Sequence, residues 1–176
     1  MNWYVLFVRN GSEEQVVSHL KTLLDSKVHI PFVPIKEYPQ KTNGMKTKGR
    51  KVCFPGGYVF LRSSSSAVDM MHIITPIINN MNEVYRLLHY GDNKMDIAMH
   101  DHERQSIERL LDDDFCIAAS LGFYEGDQVR ISSGALVGLE SQIKKINKHN
   151  RTAIIEVPFL GETRMITLML EVLEKV

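Results

Sequence analysis

Long apolar runs are missing from this chain. No stretch approaches the roughly 20 consecutive apolar residues that a membrane-spanning helix needs, and no basic residue precedes the short run that begins at Trp3. Neither a span nor a secretory leader is expected. Cysteine is scarce, with Cys53 and Cys116 the only two among 176 residues. Two cysteines exclude a disulfide-built scaffold and a four-cysteine zinc site. Both are read as free, buried thiols of a soluble cytoplasmic protein. Net charge is absent as well, because 21 Lys plus Arg balance 21 Asp plus Glu. That excludes a uniformly basic nucleic-acid coat protein and an acidic tail protein. An electrostatic partner has to be met by a local patch.

Enzyme signatures are lacking too. Gly44-Met45-Lys46-Thr47-Lys48-Gly49 has the glycine spacing of a phosphate loop, but Arg50-Lys51 follows where that motif needs Lys and then Ser or Thr. It also joins two strand candidates rather than a strand to a helix, so it reads as a basic hairpin tip. His100-Asp101-His102, with His89 nearby, could be drawn as a metal site. Two histidines two apart share a side only on a strand, and this stretch opens a helix. Asp101 is more simply an acid of the first turn. No Gly-x-Ser-x-Gly turn occurs. Neither catalysis, nor a metal, nor a cofactor is expected.

What is present is a globular composition, 44% hydrophobic and 24% charged, long enough for one medium domain or two small ones. Trp3–Val8 is dense in aromatic and β-branched residues and reads as a strand. Ser12, with Gln15 three residues on, reads as a capping box ahead of Val16, Val17, Leu20, Leu23 and Leu24 at helical spacing. Val28–Gln40, with Pro31, Pro34 and Pro39, reads extended. Gln40–Lys51 reads as a mobile hairpin tip, and Val52–Leu61 is apolar again around Pro55-Gly56-Gly57. Ser63–Ser66 leads into a helix over Ala67–Asn80 that Pro76 should kink or end. Val84–His89 is a further strand candidate and Asp101–Phe115 a further helix. This order predicts an α+β fold, an antiparallel sheet with flanking helices.

After Phe115 the pattern changes. Five short strands (Gln128–Ser132, Ser141–Asn147, Thr152–Phe159, Thr163–Thr167 and Leu170–Val176), punctuated by glycine and asparagine, predict a small five-stranded β-barrel. The expected division is a first domain over 1–114, a linker over 115–122 and a second domain over 123–176.

The zero net charge hides local bias. Residues 36–51 hold Lys36, Lys41, Lys46, Lys48, Arg50 and Lys51 against Glu37 alone, and residues 144–151 hold Lys144, Lys145, Lys148 and Arg151 with no acid. Residues 101–114 are acidic instead, with six carboxylates against Arg104 and Arg109. Cations on adjacent turns can follow a phosphate backbone, and His149 and Asn150 add groups able to touch bases or riboses. The nucleic-acid-binding candidates are Lys144, Lys145, Lys148, His149 and Arg151, with Lys46, Lys48, Arg50 and Lys51. Trp3 and Tyr4 cannot both face one way, because adjacent strand residues point to opposite faces. One of them must face out or meet a covering helix. An exposed patch of Trp3 or Tyr4 with Phe54 and Tyr58 would suit a helical partner.

Two motifs carry a resemblance. Trp3-Tyr4-Val5 with Gly11 and Glu14, then Phe54-Pro55-Gly56-Gly57-Tyr58-Val59-Phe60, resemble the N-terminal domain of the NusG family of transcription elongation factors. Glu125-Gly126-Asp127-Gln128-Val129-Arg130-Ile131 and Gly134–Ile143 are similar to a KOW domain, an SH3-like barrel. The resemblance implies an RNA polymerase-binding N-terminal domain. Trp3, Tyr4, Phe54 and Tyr58 would meet the β′ clamp helices, and Ser64, Ser65 and Ser66 the β gate loop. It implies a KOW domain that recruits RNA, Rho or the ribosomal protein NusE, in a monomer that suppresses pausing and termination. Gly56-Gly57 stands where the usual pattern has one glycine, Ala135 where proline is common and Ser141 where glycine is common. With the two basic loops, these departures resemble specialised paralogues such as the LoaP antiterminators, which a nascent RNA hairpin recruits. A general NusG-type factor, or a ribosomal or RNA-processing KOW protein, are the alternatives. Refolding of the barrel into helices, as in RfaH, is not expected from the strand-favouring run of Ile154, Ile155 and Val157.

Overall fold

A computed structural model of the chain describes residues 1–174. In chain order the elements are β1 (Asn2–Val8), α1 (Glu13–Leu23), β2 (His29–Phe32), β3 (Ile35–Thr42), β4 (Met45–Val52), β5 (Tyr58–Ser63), α2 (Ala67–Ile78), β6 (Val84–Leu87) and α3 (Asp101–Glu108). Then come β7 (Cys116–Ile117), β8 (Ser120–Glu125), β9 (Gln128–Ser133), a 3-10 turn (Glu140–Gln142), β10 (Ile143–Asn147), β11 (Thr152–Phe159) and β12 (Glu162–Leu173). The chain clusters into two compact units. One is residues 1–34 with 54–104, and the other is residues 35–53 with the chain from 105 onward. The architecture is α+β throughout the first unit and all-β in most of the second.

The first unit is built on a four-stranded sheet in the order β2-β5-β1-β6, antiparallel at every pairing. β1 lies inside it, paired along both edges, and residues on both of its faces are buried. Trp3 and Val5 on one face and Tyr4, Leu6 and Val8 on the other are all buried. A strand buried on both sides reads as a continuous apolar run, which is what Trp3–Val8 is. α1 buries Val16, Val17 and Leu20 as its spacing predicts. The capping box does not form. The Ser12 hydroxyl accepts a hydrogen bond from Arg9 Nε (3.0 Å) instead, and Gln15 reaches Glu83 (3.1 Å). Glu13 and Glu14 still place negative charge in the first turn, where the helix dipole favours it. α2 is capped as a serine-led helix should be, by Ser66 Oγ accepting from the Asp69 N–H (3.1 Å). It runs through Pro76 and ends two residues later at Ile78, so the proline falls in the last turn.

The Pro55-Gly56-Gly57 turn explains its own sequence. Both glycines have left-handed backbones, at φ +113° and +94°. The Val8 N–H donates to the Gly57 carbonyl (2.9 Å), and any side chain on Gly57 would run into the Val8 carbonyl. With both glycines in place, Tyr58 pairs with Phe7 across the sheet.

The second unit joins a hairpin to a barrel. β3 and β4 pair over eight residues each and are linked by Asn43-Gly44 at φ 50° and 80°. Two left-handed residues in a two-residue loop make the primed turn that suits a tight hairpin. β7 adds to the other side of β3, parallel, giving the order β4-β3-β7. The remaining strands form a curled five-stranded sheet in the order β10-β11-β12-β8-β9, with one parallel pairing, β12 to β8. Its core alternates along the strands: Ala153, Ile155, Val157 and Phe159 on β11, and Ile166, Leu168 and Leu170 on β12. The two predicted strands Thr163–Thr167 and Leu170–Val176 are one continuous strand, and residues 175 and 176 lie outside the described residues. α3 is shorter than the predicted 101–115: it ends at Glu108, and the chain passes through a turn to Phe115, whose left-handed backbone (φ 57°) stands just before β7.

Candidate protein and nucleic-acid interfaces

The aromatic face of the first sheet is mostly core. Trp3 is 1% exposed and meets Phe32 edge-on (ring centroids 5.2 Å) and Phe60 (6.0 Å), while Phe54 stacks at a tilt on Phe60 (5.7 Å). Tyr4 is fully buried on the opposite face and donates its hydroxyl to the Ser65 carbonyl (2.7 Å), and burial pushes its pKa up. The predicted exposed patch of Trp3 or Tyr4 with Phe54 and Tyr58 is therefore not formed. Only Tyr58 of the four is accessible, half-buried at the sheet's end. Two residues the sequence reading missed complete an accessible row there. Phe7 lies 5.8 Å from Tyr58 and 5.2 Å from Tyr85, which is itself 58% exposed. Arg86 places its guanidinium 5.8 Å from the Phe7 ring. Phe7 has the same strand parity as Trp3, so period-two alternation alone places it on the Trp3 face, further from the core.

The serine segment is held from two sides. Ser63 Oγ accepts from the Ser65 N–H (3.0 Å) and lies 2.9 Å from His29 Nδ1. Ser66 donates to Asp69 while capping α2. Ser64 and Ser66 are exposed and Ser65 is half-buried. Burial holds the His29 pKa below its ordinary value of 6.5, with Asp25 opposing in part. The native state thus binds fewer protons than the unfolded chain below that value. Stability present above pH 6.5 should be lost as the pH falls through it. Thermal melts from about pH 7.5 downward should show this decline, and His29→Gln should flatten it.

Both cysteines are buried and free, and burial pushes the Cys53 thiol up to about 12 and raises that of Cys116. Such thiols are inert at neutral pH. Among the described residues no group of three His, Cys, Asp or Glu side chains is placed to hold a metal ion, and no helix is long and apolar enough to cross a membrane.

The predicted basic residues fall into three groups within the second unit. Lys41, Lys46 and Lys51 of the hairpin and Lys148, His149 and Arg151 of the β10–β11 turn line one cavity of about 550 Å³, together with Tyr38. Lys144 and Lys145 line a different cavity of about 620 Å³ with Tyr124, Asp127 and Glu140, and Lys144 pairs with Glu156 (3.5 Å). The third group holds the structure together. Arg151 is 9% exposed and donates from Nη2 to the carbonyls of Gln40 (3.3 Å) and Thr47 (3.5 Å) on the two hairpin strands. Lys36 is buried and donates to the Thr167 carbonyl (2.6 Å), and burial lowers its pKa. Lys48 pairs with Glu37 (3.4 Å), whose carboxylate also accepts from the Ala119 N–H (2.7 Å). Arg50 is exposed and stands opposite Glu37 in the register.

Residues 1–108 match the family model described as transcription termination factor nusG. The chain belongs to the NusG family. Its relatives include the transcription termination/antitermination protein NusG of Helicobacter pylori strain J99, 21% identical over all of this chain and 99% of that protein. The protein of the same description from Thermus thermophilus is 23% identical over 92% of this chain and 91% of its own length. A solved structure of Thermotoga maritima NusG, described for its domain interaction, covers 96% of this chain and is itself covered over 93%, at 18% identity and a TM-score of 0.49. Members of the NusG family are transcription factors rather than enzymes, and a ribosomal or RNA-processing protein with an unrelated N-terminal domain is set aside by the match over residues 1–108.

Proposed function

We propose that this NusG-family protein is a transcription antitermination factor that grips RNA polymerase through its first unit and is recruited by a nascent RNA hairpin through its second, in the manner of the LoaP paralogues. The accessible row of Phe7, Tyr58 and Tyr85 carries the polymerase half of this reading. It is an aromatic strip on a sheet whose other aromatic residues are buried, and it suits the apolar face of a helical partner such as the β′ clamp helices. Ser64 and Ser66, exposed at the start of α2, would meet the β gate loop. Contact on both sides favours one polymerase conformation over the paused ones by differential binding. The basic cavity carries the RNA half.

The second cavity favours a second reading for the barrel. Its mixture of Asp127, Glu140, Lys144 and Lys145 around Tyr124 and Val129 suits a protein partner, NusE or Rho, better than a polyanion. That would be the arrangement of a general NusG-type factor.

Tyr58→Ala tests the polymerase half. Capture of the variant by immobilised polymerase core should weaken by a factor of roughly 10 or more, the loss expected for an interface anchor. Read-through of a terminator in vitro should fall with it, while the far-ultraviolet circular dichroism stays that of the parent. Retained binding would remove the aromatic row from the interface.

A further inference from the structure

The hairpin carries an arrangement that folding alone disfavours. In the β3–β4 register Lys41 stands directly opposite Lys46, and Lys36 opposite Lys51. Like charges directly opposite each other on a strand pair are destabilising. Lys36 escapes by burying its ammonium against the Thr167 carbonyl. Lys41 and Lys46 do not escape, and their ammonium-bearing side chains are exposed, as is that of Lys51. Lys148 and His149 of the β10–β11 turn line the same cavity, the Lys148 ammonium resting 4.1 Å from the Tyr124 ring centroid. Arg151, itself buried, fastens that turn to the hairpin through the Gln40 and Thr47 carbonyls. Tyr38 supplies an aromatic surface in the cavity, with the Lys51 ammonium 4.8 Å from its ring centroid.

We propose that the β3–β4 hairpin and the β10–β11 turn are the two walls of a single seat for one RNA strand, with Lys41, Lys46 and Lys51 on one wall and Lys148 and His149 on the other. The proposal rests on the RNA half of the function above and names where that RNA sits. A phosphate backbone running between the walls neutralises the repulsion built into the hairpin, releasing its own counterions as it does so. The Tyr38 ring offers a stacking surface to an unpaired base, and His149 and Asn150 can hydrogen-bond riboses. A cavity of about 550 Å³ takes part of a strand rather than a whole duplex, so the occupant is an unpaired loop or flank of the RNA. Lys144 and Lys145 are outside the seat, in the second cavity.

Fluorescence anisotropy of the full chain with a fluorescein-labelled RNA stem-loop bearing single-stranded flanks, and with DNA of the same sequence, tests this over a series of salt concentrations. Each phosphate-contacting lysine removed should lower the slope of log affinity against log salt by about 1. Lys41→Ala with Lys46→Ala should therefore lose about 2, and Lys148→Ala about 1, while Lys144→Ala with Lys145→Ala keeps the parent slope. Lys46→Glu should weaken RNA binding and yet raise the thermal midpoint, because it turns a repulsive pair with Lys41 into an attractive one. A lower midpoint in that variant would contradict the stored repulsion. Unchanged slopes in the wall variants, with loss only in the Lys144/Lys145 variant, would overturn the seat and leave the RNA half of the function standing. Absence of salt-dependent binding to any RNA by the parent would overturn both. Equal affinity for the DNA strand would overturn its assignment to RNA.

Discussion

Trp3→Ala should lower the stability of the first unit by about 3–5 kcal/mol, the range for truncating a fully buried tryptophan, and polymerase binding should disappear with the fold. The indole packs against both Phe32 and Phe60, which also touch each other, at 1% exposure, on a strand with neighbours on both sides. Removing it takes away the largest member of the aromatic cluster around Phe60 and leaves a cavity that the flanking strands, pinned by their hydrogen bonds, cannot close. Trp3→Phe should cost much less. It keeps most of the apolar volume, and the indole Nε1 has no hydrogen-bond partner to lose. Chemical denaturation followed by circular dichroism ranks the two, and polymerase capture at a temperature where each is folded separates stability from contact. A Trp3→Ala protein that stays folded and fails to bind would return Trp3 to the interface. The contrast with Tyr58→Ala is informative because the two residues stand on the same face of the sheet, one at its core and one at its rim.

Arg151→Ala should loosen the hairpin from the barrel and, by doing so, weaken RNA binding at the proposed seat. Its guanidinium donates to two backbone carbonyls on different strands. Hydrogen bonds from a charged group are worth about 1.5–3 kcal/mol each at good geometry, and these are long, so a loss near the lower figure is expected. Arg151→Lys keeps the charge but replaces the planar guanidinium, whose Nη2 serves both carbonyls, by an ammonium on a shorter, flexible stem, so it should recover only part of the stability. The left-handed backbone at Arg151 (φ 53°) is kept by both variants and does not distinguish them. If Arg151 were a direct phosphate contact, Arg151→Lys would restore RNA affinity nearly in full, and the thermal midpoints of both variants would match the parent. Paired melts and anisotropy titrations at one salt concentration decide between these outcomes.

Much of the fold is legible in the residues. The spacing of Val16, Val17 and Leu20, the serine ahead of α2, and the alternation from Ala153 to Phe159 each predict the element that forms. What misleads is local chemistry that a distant residue claims first. Ser12 has the cap sequence, but Arg9 takes its hydroxyl and Glu83 takes Gln15. The aromatic residues fail for the complementary reason. Chemical type alone cannot separate a buried tryptophan near one end of a strand from an accessible tyrosine at the other end of the sheet, since that depends on what packs over the face at each position. Parity and position along β1 put Phe7 where Trp3 was expected. The basic residues were identifiable as a set. Their sorting into seat, second cavity and structural tie follows from the register of β3 on β4 and from the turn before β11, neither of which a charge count reveals.

The hairpin lies between β2 and β5 in the chain yet clusters with strands that begin far beyond β5. This has a consequence for inheritance. A crossover anywhere between α3 and the barrel exchanges the barrel between relatives but leaves the hairpin behind, so one recombination event splits the two walls into different lineages. A paralogue acquires the pair only through a double exchange or by divergence in place. Lys41, Lys46 and Lys148 are therefore expected to be gained and lost together across the family, as a single trait written in two distant parts of the gene.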